Sequence, residues 1–154
     1  MVTYKDREYD LVVTIEDNVI ESLKKSSIDA YPNETGGFLA GRYLSNNCAY
    51  VECLVEPSKK KCSPCSFQRS TKGMNKLWDR LNKKGLIYLG EWHSHPNGSS
   101  IYSNTDLDTI RSIASNENIK IIRPLLLIVS LNNNEIKKIS LYHYDSEQLK
   151  EMQE

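Results

Sequence analysis

Two histidines at i and i+2, followed downstream by an aspartate, carry the most definite chemistry in this sequence. His93 and His95 close the run LIYLGEWHSH, which reads as a strand over Leu86–His95. In a strand such residues share a face with Cα atoms about 7 Å apart, so both imidazoles can lean onto one ion. Zinc takes nitrogen ligands at about 2.0–2.1 Å, and two imidazoles plus one carboxylate leave its fourth tetrahedral position open to water, the pattern of a catalytic site. Asp106 supplies that carboxylate if the Pro96–Tyr102 segment turns back and starts a helix beside the strand end. Ser103-x-x-Asp106 is also a helix N-cap pattern, in which the serine caps and the aspartate meets the positive end of the helix dipole. Glu91 lies at i−2 from His93 on the same strand face. Sequence alone leaves it four uses: general base, fourth ligand, partner of an imidazole, or substrate contact. Asp108 is a weaker rival to Asp106, because two helical residues turn it away by about 200°.

The elements that must hold these residues follow from apolar periodicity. Ile15, Val19, Ile20 and Leu23 predict a helix over Ile15–Ala30, stopped by Pro32. Met74, Leu77, Trp78 and Leu81 predict a second, capped by Gly85, and Leu107, Ile110, Ile113 and Ala114 a third that starts near Ser103. Strands are expected at Leu11–Thr14, Phe38–Leu44, Tyr50–Val55, Leu86–His95, Leu125–Leu131 and Ile136–Tyr144. LIYLGEW and PLLLIVSL are almost continuously apolar, so they belong at the centre of a sheet covered on both faces. The Lys59–Lys61 run reads as a solvated loop, His143 as a packing or edge histidine, and the tail DSEQLKEMQE as a fraying end or short helix. The expected fold class is α/β, a mixed sheet flanked by helices.

Composition narrows the setting. The chain has 154 residues, enough for one domain over residues 1–154 with a sizeable core and too few for two. Lys plus Arg (20) equals Asp plus Glu (20), so no bulk charge draws it to nucleic acid or to an anionic membrane. The start lacks the apolar stretch of a signal peptide, and no run approaches the roughly 18 apolar residues of a spanning helix, so a cytoplasmic location is expected. Cys48, Cys53, Cys62 and Cys65 are then reduced thiols. Cys62-x-x-Cys65 lacks the second pair that a cysteine-only zinc site needs.

The residues resemble a known family, the JAMM or MPN+ zinc metalloproteases. Its signature is a distal glutamate, then H-x-H, seven residues, S, two residues and D, which here falls on His93, His95, Ser103 and Asp106. ETGGFLAGRY (Glu34–Tyr43) is similar to the family's glutamate followed by paired glycines and an apolar strand. The resemblance spans nearly the whole chain and looks like a compact prokaryotic (JAB-domain) member with a cytidine deaminase-like fold. It implies that His93, His95 and Asp106 bind zinc, that Glu34 is the general base and acid, and that Ser103 stabilises the oxyanion. The implied activity is an isopeptidase or peptidase acting after the C-terminus of a ubiquitin-like or otherwise conjugated protein. Compact relatives of this kind sit in antiviral operons beside activating and conjugating enzymes; processing of a sulfur-carrier tail is the alternative. The substrate tail is expected to cross Gly36 and Gly37 and add a strand beside Phe38–Leu44. A zinc deaminase would need H-x-E and a downstream P-C-x-x-C, and no cysteine follows Cys65. A silent MPN scaffold would lack the metal set.

Overall fold

Alternation of apolar and polar residues in the first fifteen positions builds a hairpin, β1 (Val2–Asp6) and β2 (Leu11–Ile15), with Leu11, Val13 and Ile15 turned inward. The computed structural model describes residues 1–121 and 123–154. Helix α1 (Asp17–Ala30) follows, then β3 (Gly36–Ser45), β4 (Cys48–Val55), β5 (Lys59–Ser63), β6 (Ser66–Ser70) and α2 (Asn75–Lys83). The chain continues through β7 (Ile87–Pro96), α3 (Asn104–Ala114), β8 (Leu125–Asn132), β9 (Glu135–Tyr144) and β10 (Leu149–Glu151). Among the described residues no helix is long and apolar enough to cross a membrane.

Eight strands form one mixed sheet in the order β1-β2-β4-β3-β7-β8-β9-β10, while β5 and β6 make a separate hairpin. The two most apolar runs, β7 and β8, pair in parallel at its centre, as expected of strands covered on both faces. Val19, Ile20 and Leu23 of α1 pack on one face against Leu39, Leu89, Trp92 and Leu127. The other face carries α3, through Ile110 and Ile113 against Leu126 and Ile128, and α2, through Leu77, Trp78 and Leu81 against Phe38 and Val55. Gly85, with φ +80°, ends α2 in the left-handed conformation that a C-terminal glycine supplies.

A bulge in β7 decides which side chains meet the solvent cleft. Leu39 pairs with Gly90 but Ala40 with Tyr88, so Leu89 is the extra residue. Leu89 therefore joins Trp92 in the α1 core, while Glu91, His93 and His95 emerge on the face of α3.

Several expectations are corrected. The tail is neither frayed nor helical: Leu149–Glu151 pairs with Tyr142–Tyr144, and Leu149 and Met152 are buried, because β9 offers a free edge with which this short segment pairs. Beyond it, Lys5 and Gln153 exchange backbone hydrogen bonds of 2.7 and 2.9 Å, so the sheet curls until its first strand meets the segment after its last. The Lys59–Lys61 run is strand β5, not a loop. Lys60 Nζ donates to Thr35 Oγ1 (3.3 Å) and Glu56 Oε2 (3.0 Å). His143 is fully buried, as a packing histidine should be, with its Nε2 2.9 Å from Asp6 Oδ2 and its ring against Tyr9. Asp6 is held below the ordinary carboxylate range: burial works the other way, and the hydrogen bond and charge of His143 together with the Tyr9 and Glu8 amides outweigh it.

Candidate metal centre and cleft

Strand β7 ends at Pro96, and the segment after it returns to begin α3 at the strand's C-terminal end. The return is fixed locally. His95 Nδ1 lies 2.8 Å from the Ser99 carbonyl, so that nitrogen donates and, in the neutral ring, the Nε2 lone pair is left free for an ion. Ser103 caps α3 in a reciprocal box: its Oγ accepts from the Asp106 amide (3.1 Å) and its own amide donates to Asp106 Oδ2 (2.8 Å). The box orients the Asp106 carboxylate toward the strand end.

Three ligand atoms converge there. His93 Nε2 and His95 Nε2 are 3.0 Å apart, His93 Nε2 lies 3.2 Å from Asp106 Oδ1, and His95 Nε2 lies 3.6 Å from Asp106 Oδ2. Ligands bound at about 2.0–2.1 Å around a tetrahedral ion stand about 3.3–3.4 Å from one another, so this triangle already has the size of three corners of such a site. Two neutral nitrogens facing a carboxylate fit a divalent cation of borderline softness. Asp106 sits well below the ordinary carboxylate range; burial opposes this, and hydrogen bonds to His93 and His95 prevail. His95 is raised: burial alone would lower it, and the bonds to Asp106 and Ser99 win. Among the described residues this is the group whose ligand atoms could hold a metal. The four cysteines are free thiols.

The triangle opens on a cleft of about 560 Å³ walled by Glu34, the β6 residues Phe67 and Arg69, and the start of α3. Glu34 occupies the loop before β3. Its amide donates to the Ser63 carbonyl (2.8 Å), and the next residue, Thr35, is tied to the buried Ser94 by backbone and side-chain bonds of 2.8 and 3.0 Å. Burial raises the Glu34 carboxyl above its usual range, partly offset by His93 and His95. Glu91 also lines the cleft, but its Oε1 is held by Arg69 Nε and Nη2 at 2.8 and 2.5 Å. Of the four uses left open for it, those needing a free carboxylate are the least served. Asp108 is exposed and pairs with Arg111, away from the triangle.

Gly36 lies opposite His93 in the β3–β7 ladder, and a Cβ there would be 2.3 Å from the Trp92 carbonyl oxygen. The glycine thus allows the two strands to close, which is a different role from admitting substrate. Nor is β3 available for an added strand beside Phe38: Phe38–Gly41 are paired to β4 on one side and β7 on the other. Sequence reasoning did not find Arg69, Phe67, Thr35 or Ser99. Each acts through tertiary placement, and the hairpin that carries the first two has no apolar periodicity to announce it.

The profile of the family described as prokaryotic homologs of the JAB domain matches residues 16–142. A protein of Enterobacter hormaechei named CD-NTase/cGAS isopeptidase is 33% identical over 130 residues, covering 83% of this chain and 72% of its own. A probable metalloprotease of Sinorhizobium fredii, y4qB, is 23% identical over 127 residues, covering 77% and 75%. A solution structure from Desulfitobacterium hafniense has a TM-score of 0.68 at 22% identity, covering 92% of this chain and 90% of its own. Another, from Salinibacter ruber, has 0.58 at 20%, covering 90% and 87%. These two structures speak for the fold alone.

Proposed function

The chain belongs to the family of prokaryotic homologs of the JAB domain and is a metallopeptidase of the JAMM type with an α/β MPN fold, and on that premise we propose that it is a zinc isopeptidase. It cleaves the amide bond after the C-terminal tail of a ubiquitin-like or otherwise conjugated protein. The observation that carries this is the ligand triangle of His93, His95 and Asp106, of tetrahedral size and open to a cleft that Glu34 borders. The name of the Enterobacter relative supports a conjugated CD-NTase-like or cGAS-like protein as substrate; a place beside conjugation-pathway enzymes in an antiviral operon belongs to the same proposal and rests on the family resemblance alone.

His93, His95 and Asp106 hold the ion. When bound, zinc supplies Lewis acidity and makes water a nucleophile near neutral pH. Glu34 takes the proton from the attacking water and returns it to the leaving lysine amine; its raised carboxyl makes both transfers accessible. Ser103 Oγ is already accepting from the Asp106 amide, so its hydroxyl proton is free to donate to the developing oxyanion. The tail pairs with the outer edge of β6, because Phe38–Gly41 of β3 is already paired on both sides and Phe67 and Arg69 stand on the cleft wall.

The test is a panel of fusion proteins differing only in the tail before the scissile amide, assayed with zinc and with a chelator. Chelator-sensitive cleavage that is lost when bulky residues replace small ones beside the bond supports the reading. Indifference to tail sequence, or cutting within folded domains, overturns it.

A further inference from the structure

The β5–β6 hairpin shares no strand ladder with the main sheet, yet it forms one wall of the cleft. Its two strands are tied down differently. On the β5 side, the Ser63 carbonyl accepts from the Glu34 amide and Lys60 reaches Thr35, so this strand follows the Glu34 loop. On the β6 side the tie is Arg69. Its Nε and Nη2 both donate to Glu91 Oε1, and its guanidinium lies over the Phe38 ring, 5.2 Å from the centroid. Glu91 is 7% exposed and stands on β7, two positions before His93. Its Oε2 is buried without a close hydrogen-bond partner among the described residues, with the Tyr88 hydroxyl nearby, so the two short bonds this carboxylate receives come from Arg69.

We propose that the Arg69–Glu91 pair is a latch that fixes the distance between the β6 edge and the strand bearing the two histidines, which makes Arg69 a positioning residue for the substrate tail. The tail's role rests on the isopeptidase reading above; the latch itself does not. Removing one partner of a buried ion pair leaves the other uncompensated, so the pair is worth far more as a fastener than an exposed one. Lysine is a poor replacement. It brings one point charge, where arginine brings two donors in a fixed fork and a flat face for Phe38.

Hydrogen exchange of the Ser66–Ser70 amides in metal-free protein tests the latch without any activity. In Arg69→Gln the hairpin amides are expected to exchange about tenfold faster while the α1 core keeps its protection. Arg69→Lys should fall between, and Glu91→Gln, which keeps the shape and one acceptor, should loosen the hairpin less than Arg69→Gln. With the metal bound and a tailed fusion as substrate, KM should rise about tenfold with kcat within about twofold. Unchanged hairpin exchange in Arg69→Gln overturns the latch, as does loss of protection spread evenly over the molecule or a fall in kcat at constant KM. If Arg69→Gln does not fold, Arg69→Lys and Glu91→Gln decide by the same criteria. Should the native protein fail to cleave any tailed fusion, the isopeptidase reading falls while the exchange data still judge the latch.

Discussion

Replacing Gly36 by alanine should disable the metal centre without touching any ligand. The added Cβ would lie 2.3 Å from the Trp92 carbonyl oxygen and 2.9 Å from both His93 Cβ and Phe67 Cε1. Carbon and oxygen in ordinary contact sit about 3.3 Å apart, so β3 and β7 must separate by about 1 Å beside His93. Metal sites tolerate errors of about 0.2 Å in ligand distance, so the shift is about five times what the triangle can absorb. Zinc affinity should fall by about 10²-fold and turnover by at least as much, with a stability cost of about 1–3 kcal/mol from overpacking. Gly98→Ala is the control: its Cβ would meet His95 Cβ at 3.6 Å, an ordinary contact beside the other histidine. Competition against a chromophoric chelator measures affinity, and thermal unfolding with and without metal measures the rest. Native zinc affinity in Gly36→Ala, or an equal loss in Gly98→Ala, would refute the argument that backbone spacing here sets the site.

Four further outcomes are expected. His93→Ala or His95→Ala should lose stoichiometric zinc by metal analysis, and a full equivalent retained in both would defeat the ligand assignment. Glu34→Gln should keep its metal and lose nearly all turnover, with Glu91→Gln far less affected. Ser103→Ala should slow turnover by about 10² through the oxyanion and cost about 1 kcal/mol in unfolding free energy through the lost cap. Asp6→Asn should destabilise by about 1–2 kcal/mol near neutral pH. Because the Asp6 pKa is depressed in the folded protein, its contribution is full above the unfolded value and disappears as pH falls, so melts of mutant and native protein should converge below about pH 4.

The chemistry was more legible in the sequence than the architecture around it. His93, His95, Ser103 and Asp106 are set by local rules, strand period and helix capping, and those rules act within a few residues. The three helices and six central strands carry strong apolar periodicity and were found within about two residues at most boundaries. The hairpin was not, because KKKCSPCSFQRS has neither alternation nor a long apolar run, and its place is set by Arg69 reaching Glu91. Strand β10 was missed because three residues make no period, and their pairing is decided by β9. Glu34 could be nominated only by family likeness. Its loop reaches the cleft through Thr35 and Ser94, a long-range contact that no spacing within the chain encodes.

The meeting of Lys5 with Gln153 also governs how this protein behaves among other extended chains. A strand that ends a sheet offers unsatisfied donors and acceptors to any passing peptide. Here the two terminal strands partly occupy each other, and the stretch of β9 that β10 leaves uncovered carries Glu135, Lys137 and Lys138. Against that guarded perimeter the β6 edge, with Ser66, Phe67 and Gln68, bears no charge until Arg69, whose guanidinium is already engaged by Glu91. On the proposed reading, a flexible polypeptide searching the surface is thereby directed to the β6 rail beside the candidate metal centre, and stray pairing at the guarded edges, with its risk of aggregation, is discouraged by the same closure.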